Sequence, residues 1–446
     1  MTLPGSLRDM PPAELFPEVY ARDPHHQGFA RGGRAAALEA LARLDPVTYG
    51  RDRSSLDGHV SRLSPYIRHG VLTLAEVRDA ALAHVPATAP SRAWKFVNEL
   101  SWHDYFTRVY AQVGELVWQN FQPYQTGWPQ SAYSYDFPED IAQGTSGLAC
   151  IDAWSRELRE TGYLHNHSRM WLASYVVHHR RVWWQGGASW FLTHLLDGDP
   201  ANNNLNWQWV ASTWRAYPYL WNRGNLQKYA GQRYCAECPL ASGGCPFDAT
   251  YAALSERLFR GKKAAPGGEG HLDPARLQAV PWEPPPAPEA VPDAVVWVHG
   301  DRLSPTHEAL TAYPDRPAVF VWDDDLLRQW QVSAKRQTFI HECVSELPVH
   351  VLRGDVAGQV AAFARAHGSR TIATTPSPSP RFTAIVAALE SEGFTVQVWP
   401  EPVFGASLTP LDLRVHGDYW RQVSASAFGK PPAPPKPRRA QAKASG

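Results

Sequence analysis

The chain has 446 residues, enough for two to four domains and a large core. Its 43 basic and 43 acidic side chains cancel, so total charge points to no polyanionic partner and any basic surface has to be local. Residues 1–32 hold no apolar export-signal core, and the longest clean apolar stretch, around Met170 to Val177, is too short for a bilayer. A membrane-spanning helix is thereby excluded, and a cytoplasmic protein is expected.

The chain is Pro-punctuated to about His26. The first strong period is helical, from Ala35 to Leu44, with Leu38, Leu41 and Leu44 on one face. Helix then follows helix to about Arg260. Ser64 reads as an N-cap with Pro65 at the first helical position, and Asn98 to Tyr110 and His165 to Trp184 carry long apolar stripes. With no alternating strand run, residues 1–260 are predicted to be all-α. Residues 261–292, rich in Pro, Gly and Ala, read as a linker. Five short apolar runs then alternate with helical stretches: AVVWVHG, AVFVWD, VHVLRGD, RTIATT and TVQVWP. That alternation predicts a Rossmann-like parallel α/β domain over residues 293–405. The basic Pro/Ala tail, residues 430–446, is expected to be a disordered, solvated end.

The stretch HLLDGDPANNNLNWQW, His194 to Trp209, sets two carboxylates, a Pro, three amides and two indoles at a turn feeding a helix. Such polar arms can hydrogen-bond the edge of a planar heteroaromatic cofactor beside stacking rings; a surface Asx-rich turn before an aromatic core helix accounts for the same residues. On helices, Glu99 and Trp102 share a face, as do Asn166 and Met170, whereas Trp207 and Trp209 point to nearly opposite faces. Five cysteines, an odd number, argue against a disulfide framework, and C-x2-C with a third Cys nearby (Cys235, Cys238, Cys245) is a thiolate-metal signal.

Four stretches, in order, resemble motifs of the DNA photolyase and cryptochrome family. Tyr49 with Arg51-Asp52, then Ser61-Arg62-Leu63-Ser64-Pro65, resembles the phosphate-binding entry of its flavin domain. NELSWHDY, from Asn98 to Tyr105, resembles its substrate-pocket helix. TGYLHN, from Thr161 to Asn166, with Arg169-Met170 resembles the helix beside the flavin, and DGDPANNNLNWQW its signature DGDxAxNxxxWQW. The likeness spans about residues 30 to 225. It implies FAD, with Tyr49, Ser61, Arg62, Leu63 and Ser64 at the phosphate end and free N–H groups at the helix start to seat the diphosphate. It implies Arg169 and Asp197 as an ion pair near the ring and Asp199 on the isoalloxazine edge. Asn203 would face flavin N5, its amide either accepting from or donating to that nitrogen. Glu99 and Asn166 would hydrogen-bond a pyrimidine pair flipped out of DNA, walled by Trp102, Met170 and Trp209. Trp207 and then Trp184 would relay electrons to the surface, with Tyr133, Tyr135 and Trp128 as candidates for a third step. His103 and His167 stand where arginines are usual, Leu205-Asn206 where Gly-Gly is usual and Val60 where Thr is usual, which leaves lesion type and DNA affinity open.

Cys150, in SGLACIDA, resembles the first ligand of the family's iron-sulfur branch. Together with Cys235, Cys238 and Cys245 it implies a [4Fe-4S] cluster, with zinc or no metal as alternatives; the last spacing is shorter than in that branch, and His165-Asn166 replaces its His pair. AVVWVHGDRLSPTHEAL followed by AVFVWD resembles the family's antenna domain, which normally precedes the flavin domain and here follows it, as in a circular permutation. An unrelated Rossmann-like domain is the alternative. If an antenna pigment binds, its identity is unknown and the crevice at the strand C-termini is the place for it. The expected function is light-driven repair of pyrimidine dimers by a monomer acting on damaged DNA; the alternatives are a blue-light photoreceptor without repair activity, and a flavin and iron-sulfur electron carrier.

Overall fold

The computed structural model describes residues 5–261, 273, 277, 280–281 and 283–432. Most of the expected linker, and residues 433–446 of the expected tail, lie outside the described residues. The helical half uses α1 (Arg34–Ala42), α2 (Pro46–Asp52), α3 (Ser64–Arg68), α4 (Trp94–Val113), α5 (Ala149–Thr161), α6 (Asn166–Ser174), α7 (Trp184–His194) and α8 (Pro200–Ala211). α8 is the hub, in contact with α4, α6 and α7. It starts where it does because Asp199 caps it, accepting from the N–H groups of Ala201 and Asn202, with Pro200 at the first position.

Three local expectations are corrected. Leu38, placed on the buried face of α1, is 45% exposed, and Ala37 is buried instead. The rotation of α1 is set by Arg34, whose guanidinium donates to Val71 O at 2.7 Å and to Glu76 at 2.5 Å. Ser64 is not a cap: Leu63 already has right-handed helical angles, so Ser64 lies inside α3. The stripe from His165 to Trp184 is not one helix. After α6 come a π-helical turn, Tyr175–His179, and Arg181 at φ +49°, which frees Val182 to bridge Ser134 and lays Arg181 over Trp128 at 3.6 Å.

The second half holds β1 (Val295–Val298), β2 (Ala318–Asp323), β3 (His350–Gly354), β4 (Thr371–Thr374) and β5 (Thr395–Val398), all parallel in the order β3-β2-β1-β4-β5. α9 (Ala334–Ser345), α10 (Val356–Ala366) and α11 (Pro380–Ser391) are its main crossover helices. One sheet face buries Val295, Trp297, Val319 and Val321 with Phe363 and Leu389. The other face, with Val296, Val298 and Phe320, shares a core with Leu63, Tyr66 and Leu100 of the helical half, so both faces are covered and the strands read as continuous apolar runs. Residues 5–26 pack on this sheet half: Leu7 N–H donates to Val351 O at 2.9 Å, and Phe16 meets Trp322 edge-on at 5.0 Å. Beyond Phe404 the chain returns to the helical half, where α12 (His416–Ala427) lies on α4.

Candidate functional site

A cavity of about 590 Å3 opens between α3, α4, α6 and α8, within the size range of small-molecule and cofactor sites. Its wall brings together Tyr49, Ser61, Arg62, Ser64, Glu99, Trp102, Asn166, Arg169, Met170, Asp197, Asp199, Asn203, Trp207 and Trp209. Two residues singled out in the sequence are not in that wall. Leu63 is fully buried in the shared core, and Trp184, also fully buried, donates through Nε1 to Asn120 at 2.7 Å.

The polar groups on one side are locked before any guest arrives. Arg169 donates to both oxygens of Asp197, at 2.9 and 3.1 Å, while its Nε holds Leu164 O. Burial alone would raise the Asp197 pKa; Arg169 and the Ser64 hydroxyl bring it below the usual carboxylate value. Ser61 accepts from Leu63 N–H at 3.5 Å, and Arg62, at φ +53°, lies over the Tyr163 ring. Of the serine hydroxyls given to the diphosphate, Ser64 is already engaged with Asp197, whereas Ser61 only accepts and keeps its proton to donate; α3 is only five residues long. Asn203 commits its amide nitrogen to Ala188 O at 2.9 Å and Asn204 Oδ1 at 3.1 Å. A flipped amide would set oxygen against oxygen, so the group Asn203 has to offer the cavity is its carbonyl, an acceptor. Of the two options open in the sequence, these hydrogen bonds leave the acceptor available.

Across the cavity, Glu99 is held by two cations, Arg53 at 2.8 Å and Lys95 at 2.6 Å. Sequence reasoning passed over both, although Lys95 and Glu99 stand at the i, i+4 spacing that joins opposite charges on a helix. Asn166, the first residue of α6, is exposed, and Met170 lies one turn on. Trp209 packs against Tyr219 and carries Arg215 over its ring at 4.2 Å. His103 also lines the cavity, and burial lowers its pKa against the pull of Asp199 and Asp104.

Trp207 is 2% exposed and meets Phe191 edge-on at 4.9 Å; its Nε1 is buried and has no hydrogen-bond partner among the described residues. It fits against the helix only because residue 187 is Gly, where an added Cβ would come within 2.2 Å of the indole. Gly187→Ala is expected to push the ring into the cavity and cost about 1–3 kcal/mol, read as a fall in Tm and a change in near-ultraviolet circular dichroism. Of the candidates for a third relay, Tyr133 is buried and stacked on Tyr124, Tyr135 is 73% exposed against Trp183, and Trp128 lies under two guanidinium groups.

Cys150, Cys235, Cys238 and Cys245 lie in the same region of the helical half. Burial raises the Cys150 pKa, and Cys245, Cys238 and Cys235 raise it further, so all three lie within electrostatic range. Cys235 and Cys245 pack on the same apolar cluster as Cys150. Among the described residues no group of three or more His, Cys, Asp or Glu is placed to hold a metal. Cys343 is buried far from them in sequence, accepting from Gly33 N–H.

A second cavity, about 150 Å3, lies at the C-terminal ends of β1, β2 and β4, beside the switch point where strand order reverses. Asp301 there pairs with Arg68 at 2.5 Å, which holds the carboxyl well below its usual range against burial. Arg68 and Asp199 line both cavities. Its volume is below the roughly 300 Å3 at which drug-sized ligands fit. No helix among the described residues is long and apolar enough to cross a membrane.

Residues 96–226 match the family described as the FAD binding domain of DNA photolyase. The chain is 34% identical over 190 residues to a deoxyribodipyrimidine photo-lyase of Streptomyces griseus, covering 42% of this chain and 40% of that protein. It is 32% identical over 227 residues to one of Halobacterium salinarum, covering 48% and 46%. A cryptochrome of Synechocystis aligns at 26% identity, TM-score 0.42, over 49% of this chain and 47% of that one. The chain therefore spans less than half the length of the curated relatives it matches. Residues 96–226, within the helical half, are thus similar to the FAD binding domain of DNA photolyase, and the chain resembles deoxyribodipyrimidine photo-lyases over less than half of its length.

Proposed function

We propose that the protein is a light-driven DNA repair enzyme that splits pyrimidine dimers with an electron from reduced FAD. The observation that carries this reading is a single cavity whose wall gathers an ion pair, an amide acceptor, a carboxylate, a second amide, a thioether and three indoles. Bound FAD supplies the light-driven electron. The chain's residues do the rest. Arg169 and Asp197 neutralise each other beside the ring, and the Asn203 carbonyl accepts a proton-bearing nitrogen. Trp102, Met170 and Trp209 exclude water and wall in a flipped pyrimidine dimer, whose extrusion costs little because its damaged bases stack and pair poorly. Glu99 and Asn166 hydrogen-bond its edges. Arg53 and Lys95 supply two cations beside Glu99.

Illuminating the purified, reduced protein with a dimer-containing oligonucleotide should remove the dimer, with no loss in the dark. A flavin-loaded protein that photoreduces but never repairs would make it a photoreceptor instead. We further propose that Cys150, Cys235, Cys238 and Cys245 hold a [4Fe-4S] centre, a reading supported by thiols of two distant segments lying within electrostatic range of one another, although their present placement forms no metal-holding group among the described residues. Iron and acid-labile sulfide near four per chain are expected, and Cys238→Ser should abolish both.

A further inference from the structure

Trp102 stands on the boundary between two faces of α4. Glu99, His103 and Phe106, at helical spacings of three and four, line the large cavity. Ser101, Asp104 and Tyr105 face the other way, toward α12 and the chain entering it. There the Tyr105 hydroxyl donates to Leu413 O at 3.0 Å and Asp104 accepts from the Tyr419 hydroxyl. Trp102 takes part in both faces. It lines the cavity, and its indole is stacked on the imidazole of His416, ring centroids 3.6 Å apart and planes within 9°.

The imidazole is itself fixed. The Ser101 hydroxyl gives its one proton to Asn98 O at 2.7 Å, so what it offers His416 Nε2 at 2.8 Å is a lone pair, and that nitrogen carries the hydrogen. His416 is 4% exposed, Tyr105 closes its edge at 5.6 Å, and burial beside Lys95 pushes its pKa down to about 3. A flat, neutral ring with a fixed orientation therefore backs the indole.

We propose that His416 is a positioning residue for the lesion pocket, holding the Trp102 ring in place against the guest from behind. The inference rests on the repair reading. Without the imidazole, Trp102 regains rotamer freedom that has to be lost again each time a flipped base is bound.

The test compares wild type, His416→Ala and His416→Phe as FAD-loaded full chains, measuring binding to a dimer-containing and an undamaged oligonucleotide, KM, and the maximal rate under saturating light. His416→Ala should weaken dimer binding and raise KM about tenfold. Flavin absorbance, undamaged-DNA binding and maximal rate should stay near wild type. His416→Phe, which keeps a flat ring but loses the Ser101 bond, should recover most of the affinity. Unaltered dimer binding by His416→Ala overturns the proposal. So does an equal loss in both variants accompanied by a fall in Tm, which marks a purely structural role. If wild type binds damaged and undamaged strands alike, the repair reading fails first and the inference goes with it.

Discussion

Arg169→Leu is expected to give a colourless, destabilised protein. Asp197 is buried and has the guanidinium as its charge partner, so removing Arg169 strands a carboxylate away from water, at a cost of about 3–5 kcal/mol. The pH dependence should reverse. In wild type the folded-state pKa is depressed, so Asp197 adds stability above its unfolded value near 3.9, and that stability is lost as pH falls through the folded value. In the variant, burial raises the folded pKa, the folded state holds the proton longer, and stability declines as pH rises through that higher value. Melting curves between pH 4 and 8, with flavin absorbance read alongside, check both halves. Adding Asp197→Asn to Arg169→Leu should recover much of the stability and little of the flavin.

Glu99→Ala should keep the flavin and lose roughly a hundredfold in the rate of dimer splitting, the scale on which one preorganised polar contact in a dry site matters. The substitution also leaves Arg53 and Lys95 without the carboxylate they share. The mouth of the cavity then gains net positive charge, so undamaged DNA should bind more tightly and with a steeper salt dependence than to wild type. Slower repair with stronger non-specific binding separates loss of substrate recognition from loss of fold. Flavin release on the same substitution would take Glu99 out of the substrate role.

What could be read in the chain was whatever is local. The central strands β1 and β2 are unbroken apolar runs because both sheet faces are covered there, so they stood out in the sequence, and the shorter apolar runs of β3 to β5 followed at regular spacing. Most cavity residues sit in short motifs whose spacing on α4, α6 and α8 already turns them to one side; Trp209, two residues from Trp207, is the exception, since the sequence sets it on nearly the opposite face and the structure nonetheless has it in the wall. What escaped depends on neighbours far along the chain. Ser64 reads as a cap until Leu63 is found helical and the hydroxyl is found on Asp197. The stripe through His178 reads as helix until Val182 is seen to bridge Ser134, and Leu38 reads as core until Arg34 is seen to set the rotation of α1. Nothing near residue 102 announces a partner at residue 416.

The docking of α12 on α4 has a consequence for how the protein is made. Ser101 and His416 are 315 residues apart in sequence. At a synthesis rate of about 5–20 residues per second, the ribosome needs tens of seconds to deliver the second after the first. Throughout that interval the nascent helical half carries Trp102 and Tyr105 on an uncovered aromatic flank, the kind of surface that chaperones hold and that stalled chains aggregate through.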